Sequence, residues 1–258
     1  MEAGVPMTDG GPDYAAIERH LASLGLIARG GFHPRPADGV PDLPDGRAAG
    51  TLVVVGNAGP ALWRVFAAAP EAADGAPDPL NRWSERVLGE FAGRIGGQAL
   101  YPFGGPPYWP FIAWAKRAEA VWESPLGMLI HPDYGLWHAY RGALALPGRI
   151  ALPARQERAK PCDSCAEKPC LATCPVGAFT PAGHDPARYD VAACAGHVGA
   201  PAGADCRDLG CRARRACPIG RDYLYDGAQA HFHMAAFLAA RRRDGARGEP
   251  DSSEMGNR

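Results

Sequence analysis

CDSCAEKPCLATCP, residues 162 to 175, sets four cysteines, Cys162, Cys165, Cys170 and Cys174, in one short loop that ends on Pro175. Spacing this close lets one stretch of backbone wrap several thiolates around an inorganic cube, while a cysteine on a C-P step points toward a neighbouring cluster. A second group follows: Cys194 alone, then Cys206, Cys211 and Cys217, the last again followed by proline. Eight thiolates are what two [4Fe-4S] cubanes require. In the bacterial two-cluster pattern each C-P cysteine ligates the other motif's cluster. That rule assigns Cys162, Cys165, Cys170 and Cys217 to one cluster and Cys174, Cys194, Cys206 and Cys211 to the other. Four residues rather than two separate Cys165 from Cys170, and the second motif reads C-x4-C-x5-C-P, so the pairing stays open where the ligand list does not. Two tetrahedral zinc sites, each held by four thiolates, are the alternative; both C-P steps and the C-x3-C spacing favour iron and sulfur. His184, His197, His231 and His233 lie in or near this region as substitute ligands, but beside eight cysteines a surface or hydrogen-bonding role is the plainer expectation.

Outward from the cysteines, the chain changes character. All eight fall between residues 162 and 217 of 258, whereas a disulfide framework is usually spread through a small secreted chain. The first residues carry no basic and apolar leader, and no stretch approaches eighteen uninterrupted apolar residues, so a cytoplasmic protein that does not span a membrane is expected. A net charge of −1 provides no field to draw nucleic acid, and no nucleic-acid partner is expected. Before the cysteines, Asp13 is placed to cap a helix carrying Ile17, Leu21 and Leu24 on one face, with Gly25 ending it. A Pro/Gly/Asp-rich connection is expected from Gly30 to Gly50, then a buried strand at TLVVVG (51–56). Pro60 opens a helix through Ala69, and Leu80, Trp83, Val87, Leu88, Phe91 and Ile95 repeat at helical spacing. A short strand at 99–103, a helix over 111–122 and strands at 128–131 and 137–146 complete an α+β layer; no G-x-G-x-x-G follows the first strand, which disfavours a Rossmann domain. A proline- and charge-containing linker from Pro147 to Lys160 then divides an α+β domain (1–150) from the cysteine domain (151–243). The latter ends in a helix over 223–243, and 244–258 reads as a disordered tail.

Gly127 to Gly148, GMLIHPDYGLWHAYRGALALPG, resembles the CblC-type cobalamin-processing family through His131, Pro132, Tyr134, Gly135, Trp137, Arg141 and Gly142. An H-P-x-x-G-x-W stretch followed by a linker and two cysteine motifs is also similar to the epoxyqueuosine reductases and, more distantly, the corrinoid reductive dehalogenases. The resemblance implies a nitroreductase-like fold in the first domain, holding a corrinoid base-off, and a ferredoxin-like dicluster domain that feeds it electrons. It implies a cofactor against the HPDYG turn, with His131, Tyr134, Gly135, Trp137 and Arg141 as the candidate binding residues. Ordinary turn and core roles for His131 and Trp137 stand beside that reading; Arg141, in an otherwise apolar strand, needs a partner when buried. Epoxyqueuosine reductases use an aspartic acid just upstream of the helix before this turn, whereas YPFGGPPYWPF stands there with no carboxylate until Glu119; they also extend into a helical-repeat tRNA domain, and neither that proton donor nor that RNA platform is expected here. The expectation is an iron-sulfur oxidoreductase that delivers electrons to cobalamin or a similar flat cofactor and works with a redox partner protein. A pure electron carrier and, further off, a tRNA-modifying enzyme are the alternatives.

Overall fold

Asp13 accepts a hydrogen bond from the Ala16 backbone N–H at 2.5 Å and starts α1 (Tyr14–Ser23), which buries Ile17 and Leu21. The computed structural model describes residues 7–8, 11–180 and 188–247. After α1 the chain enters β1 (Ile27–Phe32), where a turn-rich connection was expected: Gly30 and Gly31 dilute the strand signal, yet both sit in the ladder region. Thr51–Val55 have no face that tolerates water, and β2 (Thr51–Ala58) is buried accordingly. Then come α2 (Ala61–Phe66), α3 (Pro79–Arg94), β3 (Gln98–Leu100), α4 (Phe111–Ala118) and β4 (His138–Leu146). The strands form one antiparallel sheet in the order β1-β2-β4-β3. Trp83, Trp114, Trp137, Phe66 and Phe91 are among its fully buried neighbours, so this half carries a large apolar core.

Two features of the sheet position side chains. Val55 pairs with Gly142 but Gly56 pairs with Tyr140, leaving Arg141 as the extra residue of a β-bulge. The helix expected to reach residue 122 stops at Ala118, and Glu119 is already extended at φ −145°.

The described residues fall into two units. One runs to Trp122 and takes in Leu129–Ser164 and Ile219–Leu224; the other takes in Glu123–Met128, Cys165–Pro218 and the chain from Tyr225. The second holds α5 (Pro169–Ala172), a two-stranded ribbon of β5 (Phe179–Thr180) and β6 (Arg188–Tyr189), α6 (Val191–Gly199), α7 (Ala204–Leu209), α8 (Arg212–Arg215) and α9 (Gly227–Arg247). The α9 helix starts four residues later than expected and continues beyond Arg243 to Arg247, into what was expected to be tail. Residues 248–258 and His184 lie outside the described residues. The chain as a whole is mixed α+β with small sheets. No described helix is long and apolar enough to cross a membrane.

Candidate functional site

In the second unit one cavity, about 310 Å³ including its open mouth, is lined by Cys174, Cys194, Cys206 and Cys211, with Phe179, Val198, Ala213 and Met234 supplying apolar wall. Each thiol comes from a different place: Cys174 from the turn after α5, Cys194 from α6, Cys206 from α7 and Cys211 from the residue that begins α8. These are the four cysteines that the crossed C-P rule puts on one cluster. The Ala178 N–H donates to Cys174 Sγ at 3.3 Å. Burial pushes the Cys194 and Cys211 thiols up, and the neighbouring thiols add to it. Thiolate binding to a metal or cluster must therefore displace protons. Among the described residues no three His, Cys, Asp or Glu side chains converge closely enough to hold a single metal ion. His197 lines the cavity, His231 Nδ1 lies 3.1 Å from Asp208, and His233 packs its ring on Tyr225.

Of the remaining cysteines, Cys170 and Cys217 are buried and Cys165 is half-buried in the second unit. Cys162 is buried on a single helical turn, Pro161–Ser164, that belongs to the first. In the second unit α5, which carries Cys170, packs against α8, two residues before Cys217. None of the eight is in a disulfide.

The HPDYG residues lie in the first unit, in a tight turn closed by reciprocal backbone hydrogen bonds of 2.9 Å between His131 and Gly135. His131 Nδ1 accepts from the Asp133 and Tyr134 backbone N–H groups at 3.0 and 3.3 Å, which leaves the ring proton on Nε2. Burial, and then the nearby Arg29 cation, pull the His131 pKa down to about 4, so the ring is neutral near pH 7. It stacks on Tyr134 at 4.3 Å. Gly135 has φ +56°, and a Cβ there would overlap the Ile219 carbonyl; the neighbouring Gly220 makes the same close approach to Tyr134. Trp137 is 2 % exposed and its backbone carbonyl accepts from Gly59 at 2.9 Å. Arg141, projected by the bulge, donates to Ser84 Oγ at 3.0 and 3.1 Å, the Leu80 carbonyl at 3.1 Å and Asn81 Oδ1 at 2.8 Å. Its partner is thus the first turns of α3.

Sequence reasoning missed the group on which this turn rests. Arg29 of β1, 3 % exposed, pairs with Glu119 through Nε–Oε2 at 2.9 Å, with Nη2 2.8 Å from Oε1 but off the hydrogen-bonding axis. Tyr140 donates to Oε1 at 2.6 Å, and His131 Nε2 stands 3.7 Å from Oε2. The guanidinium lies against both the Tyr134 and Tyr140 rings, 4.9 and 5.2 Å from their centroids. Gly56 leaves the space, because a Cβ there would lie 3.3 Å from Arg29 Cγ. Glu119, the first carboxylate after YPFGGPPYWPF, is the one beside His131. An arginine within the apolar run IARGGF was the available signal. No known family model matches the chain, and comparison with curated proteins finds no match.

Proposed function

We propose that the chain is an iron-sulfur electron-transfer protein that holds two [4Fe-4S] clusters on its eight cysteines. The observation that carries this reading is the cavity lined by Cys174, Cys194, Cys206 and Cys211. Four thiols from four elements around one space, with the Ala178 N–H donating to one of them, suit a buried cubane's need for ligation and for tuning of its potential. A tetrahedral zinc ion, with Zn–S of about 2.3 Å, draws its four sulfurs around one point; thiols standing around a cavity instead favour the larger inorganic group. When bound, the clusters supply reversible one-electron chemistry; the chain's own part is to hold the thiolates, exclude water and set hydrogen bonds to sulfur.

The cofactor proposed to receive those electrons is a corrinoid or similar flat group held by a nitroreductase-like first unit, with the second unit ferredoxin-like. The first unit supports that part less well. Arg141 directs its donors to α3, and Gly135 is covered by Ile219. Those two contacts favour the second reading, a carrier without its own substrate site that serves a redox partner.

Anaerobic purification followed by iron and acid-labile sulfide analysis tests the clusters, with roughly eight of each expected per chain. A colourless preparation carrying stoichiometric zinc overturns them. Titration with cob(II)alamin separates the two functions: a base-off absorption change supports the corrinoid, and an unchanged spectrum leaves the carrier.

A further inference from the structure

The thiol cavity opens to solvent, and its rim carries one sign of charge. Pro175 and Val176 line it and are exposed, Val176 by 40 %. They follow Cys174 directly, so the turn that carries this thiol also supplies an apolar lip. Arg212 lines the same cavity with its side chain half exposed. Its place is fixed covalently, because Arg212 follows Cys211 just as Arg207 follows Cys206 in the run CRDLGCRARR, 206 to 215. Arg207 is tied to the wall as well, donating from Nη1 to the carbonyl of the cavity residue Val198 at 3.3 Å. Together α7 and α8 set four arginines against Asp205 and Asp208. Each aspartate is shared. Asp205 accepts from Arg212 Nε at 2.7 Å and from Arg215, while Asp208 stands 3.3 Å from Arg207 Nε and 3.1 Å from His231 Nδ1. Arg214 lies over the Tyr225 ring at 4.6 Å. Two carboxylates do not neutralise four guanidinium groups, and none of the described residues lining the cavity is acidic. A chain of net charge −1 therefore has a local cationic face beside its thiols.

We infer that the rim made by Pro175, Val176 and the arginines of α7 and α8 is the docking surface for an acidic one-electron carrier protein. This rests on the cluster reading above and gives a chemical class to the redox partner. An electron donor has to come close to the cluster, and the open side of the cavity offers that approach. An apolar centre sheds water on contact, while the charged rim sets encounter and orientation. Cationic potential on such a rim raises the association rate of an anionic partner by about 10- to 1000-fold, an advantage that salt removes. A basic carrier meets like charge there and gains nothing. The transfer itself is balanced by one electron, which leaves the reduced carrier and enters the oxidised cluster, with no bond broken and no proton moved.

The test is stopped-flow reduction of the full chain, purified anaerobically, by a reduced [2Fe-2S] ferredoxin of strongly negative net charge, repeated over a range of salt. The sign of the salt effect decides. Whole-molecule charges predict weak repulsion and a rate constant that rises with salt, whereas a local cationic face predicts the reverse. The expected result is a fall of about tenfold or more between about 0.01 M and about 1 M salt, as the Debye length shrinks from about 30 Å to about 3 Å. Arg212→Gln and, separately, Val176→Asp are expected to keep wild-type iron and sulfide and to be reduced at the wild-type rate by photochemically generated deazaflavin radical, a small uncharged donor. Each is expected to lose about three- to tenfold of the ferredoxin rate constant at low salt, and the Arg212→Gln loss to disappear at high salt. If Arg212→Gln sheds iron, Val176→Asp decides alone, since it alters one exposed side chain. A wild-type rate constant that is flat or rises with salt overturns the inference, as do variants that both match the wild type. Salt-insensitive transfer together with salt-sensitive binding of single-stranded RNA would give the face to nucleic acid instead. Wild-type protein without labile sulfide removes the cluster reading itself, a result separable from any salt dependence.

Discussion

Glu119 is where one side chain decides most in the first unit. It neutralises Arg29, accepts from Tyr140 and faces His131. Removing one partner of a buried pair leaves an uncompensated charge, so Glu119→Ala is expected to cost about 3–5 kcal/mol in denaturant unfolding. Tyr140→Phe, which removes one charged hydrogen bond and keeps the ring against Arg29, is expected to cost about 1.5–3 kcal/mol. Similar small losses for both would mean that the pair is looser than its distances. His131 makes the pH dependence. Its folded pKa of about 4 lies below the ordinary 6.5, so between those values the unfolded chain binds the extra proton. The contribution is fully present above pH 6.5 and is lost as pH falls through 4. Carboxylates held below their usual range by arginines, such as Glu71 and Asp74, lose stability at low pH as well. The measurement is therefore a difference. The loss of stability between pH 6.5 and 4 is expected to shrink in His131→Gln relative to wild type, by at most about 3 kcal/mol. Equal pH slopes in the two proteins would show that the ring titrates normally.

At the scale of elements, what the sequence made legible follows from how many physical signals each segment carried. β2 was readable because Leu52–Val55 are buried throughout, α1 because cap and stripe agree, and α3 from its apolar stripe alone. β1 was not, because two glycines mask a strand whose neighbours supply the pairing. The end of α4 was not either: Glu119 leaves the helix for Arg29, a residue ninety positions away, and no local pattern records that. Likewise the bulge at Arg141 is invisible to a period-2 count, although it alone turns the guanidinium toward Ser84. The cavity shared by Cys174, Cys194, Cys206 and Cys211 coincides with the grouping expected from the C-P rule, while the elements that bring them there carried no such signal. The HPDYG turn gives a sharp check on packing. Gly135→Ala meets both a left-handed φ, worth about 1–3 kcal/mol, and the Ile219 carbonyl. Gly127→Ala has φ +75° with nothing within 4 Å and meets only the first. Gly135→Ala is thus expected to lower the thermal midpoint clearly more than Gly127→Ala, and equal shifts would mean that Ile219 does not press on the turn.

For the whole molecule, the two units differ in what holds each together. The first buries three tryptophans, with Phe66, Phe91 and a run of aliphatic strand residues. The second buries mainly Leu126, Ala178, Phe179, Val198, Ala213, Ala230 and cysteines, so little large apolar surface is removed from water. At roughly 25 cal/mol per Å², alanines and cysteines offset little of the entropy of ordering these elements, and small units of this kind usually depend on a metal or a staple. No disulfide supplies the staple. If the thiolates bind clusters, cluster binding is then folding free energy for that unit. Stripping iron with chelator and oxidant is expected to abolish hydrogen-exchange protection in α6 and α7 while β2 and β4 stay protected. Refilling with iron and sulfide should restore it. Protection of α6 and α7 that survives complete iron removal would mean that this unit folds on its packing alone, and its cysteines would then be passengers on the fold rather than its cause.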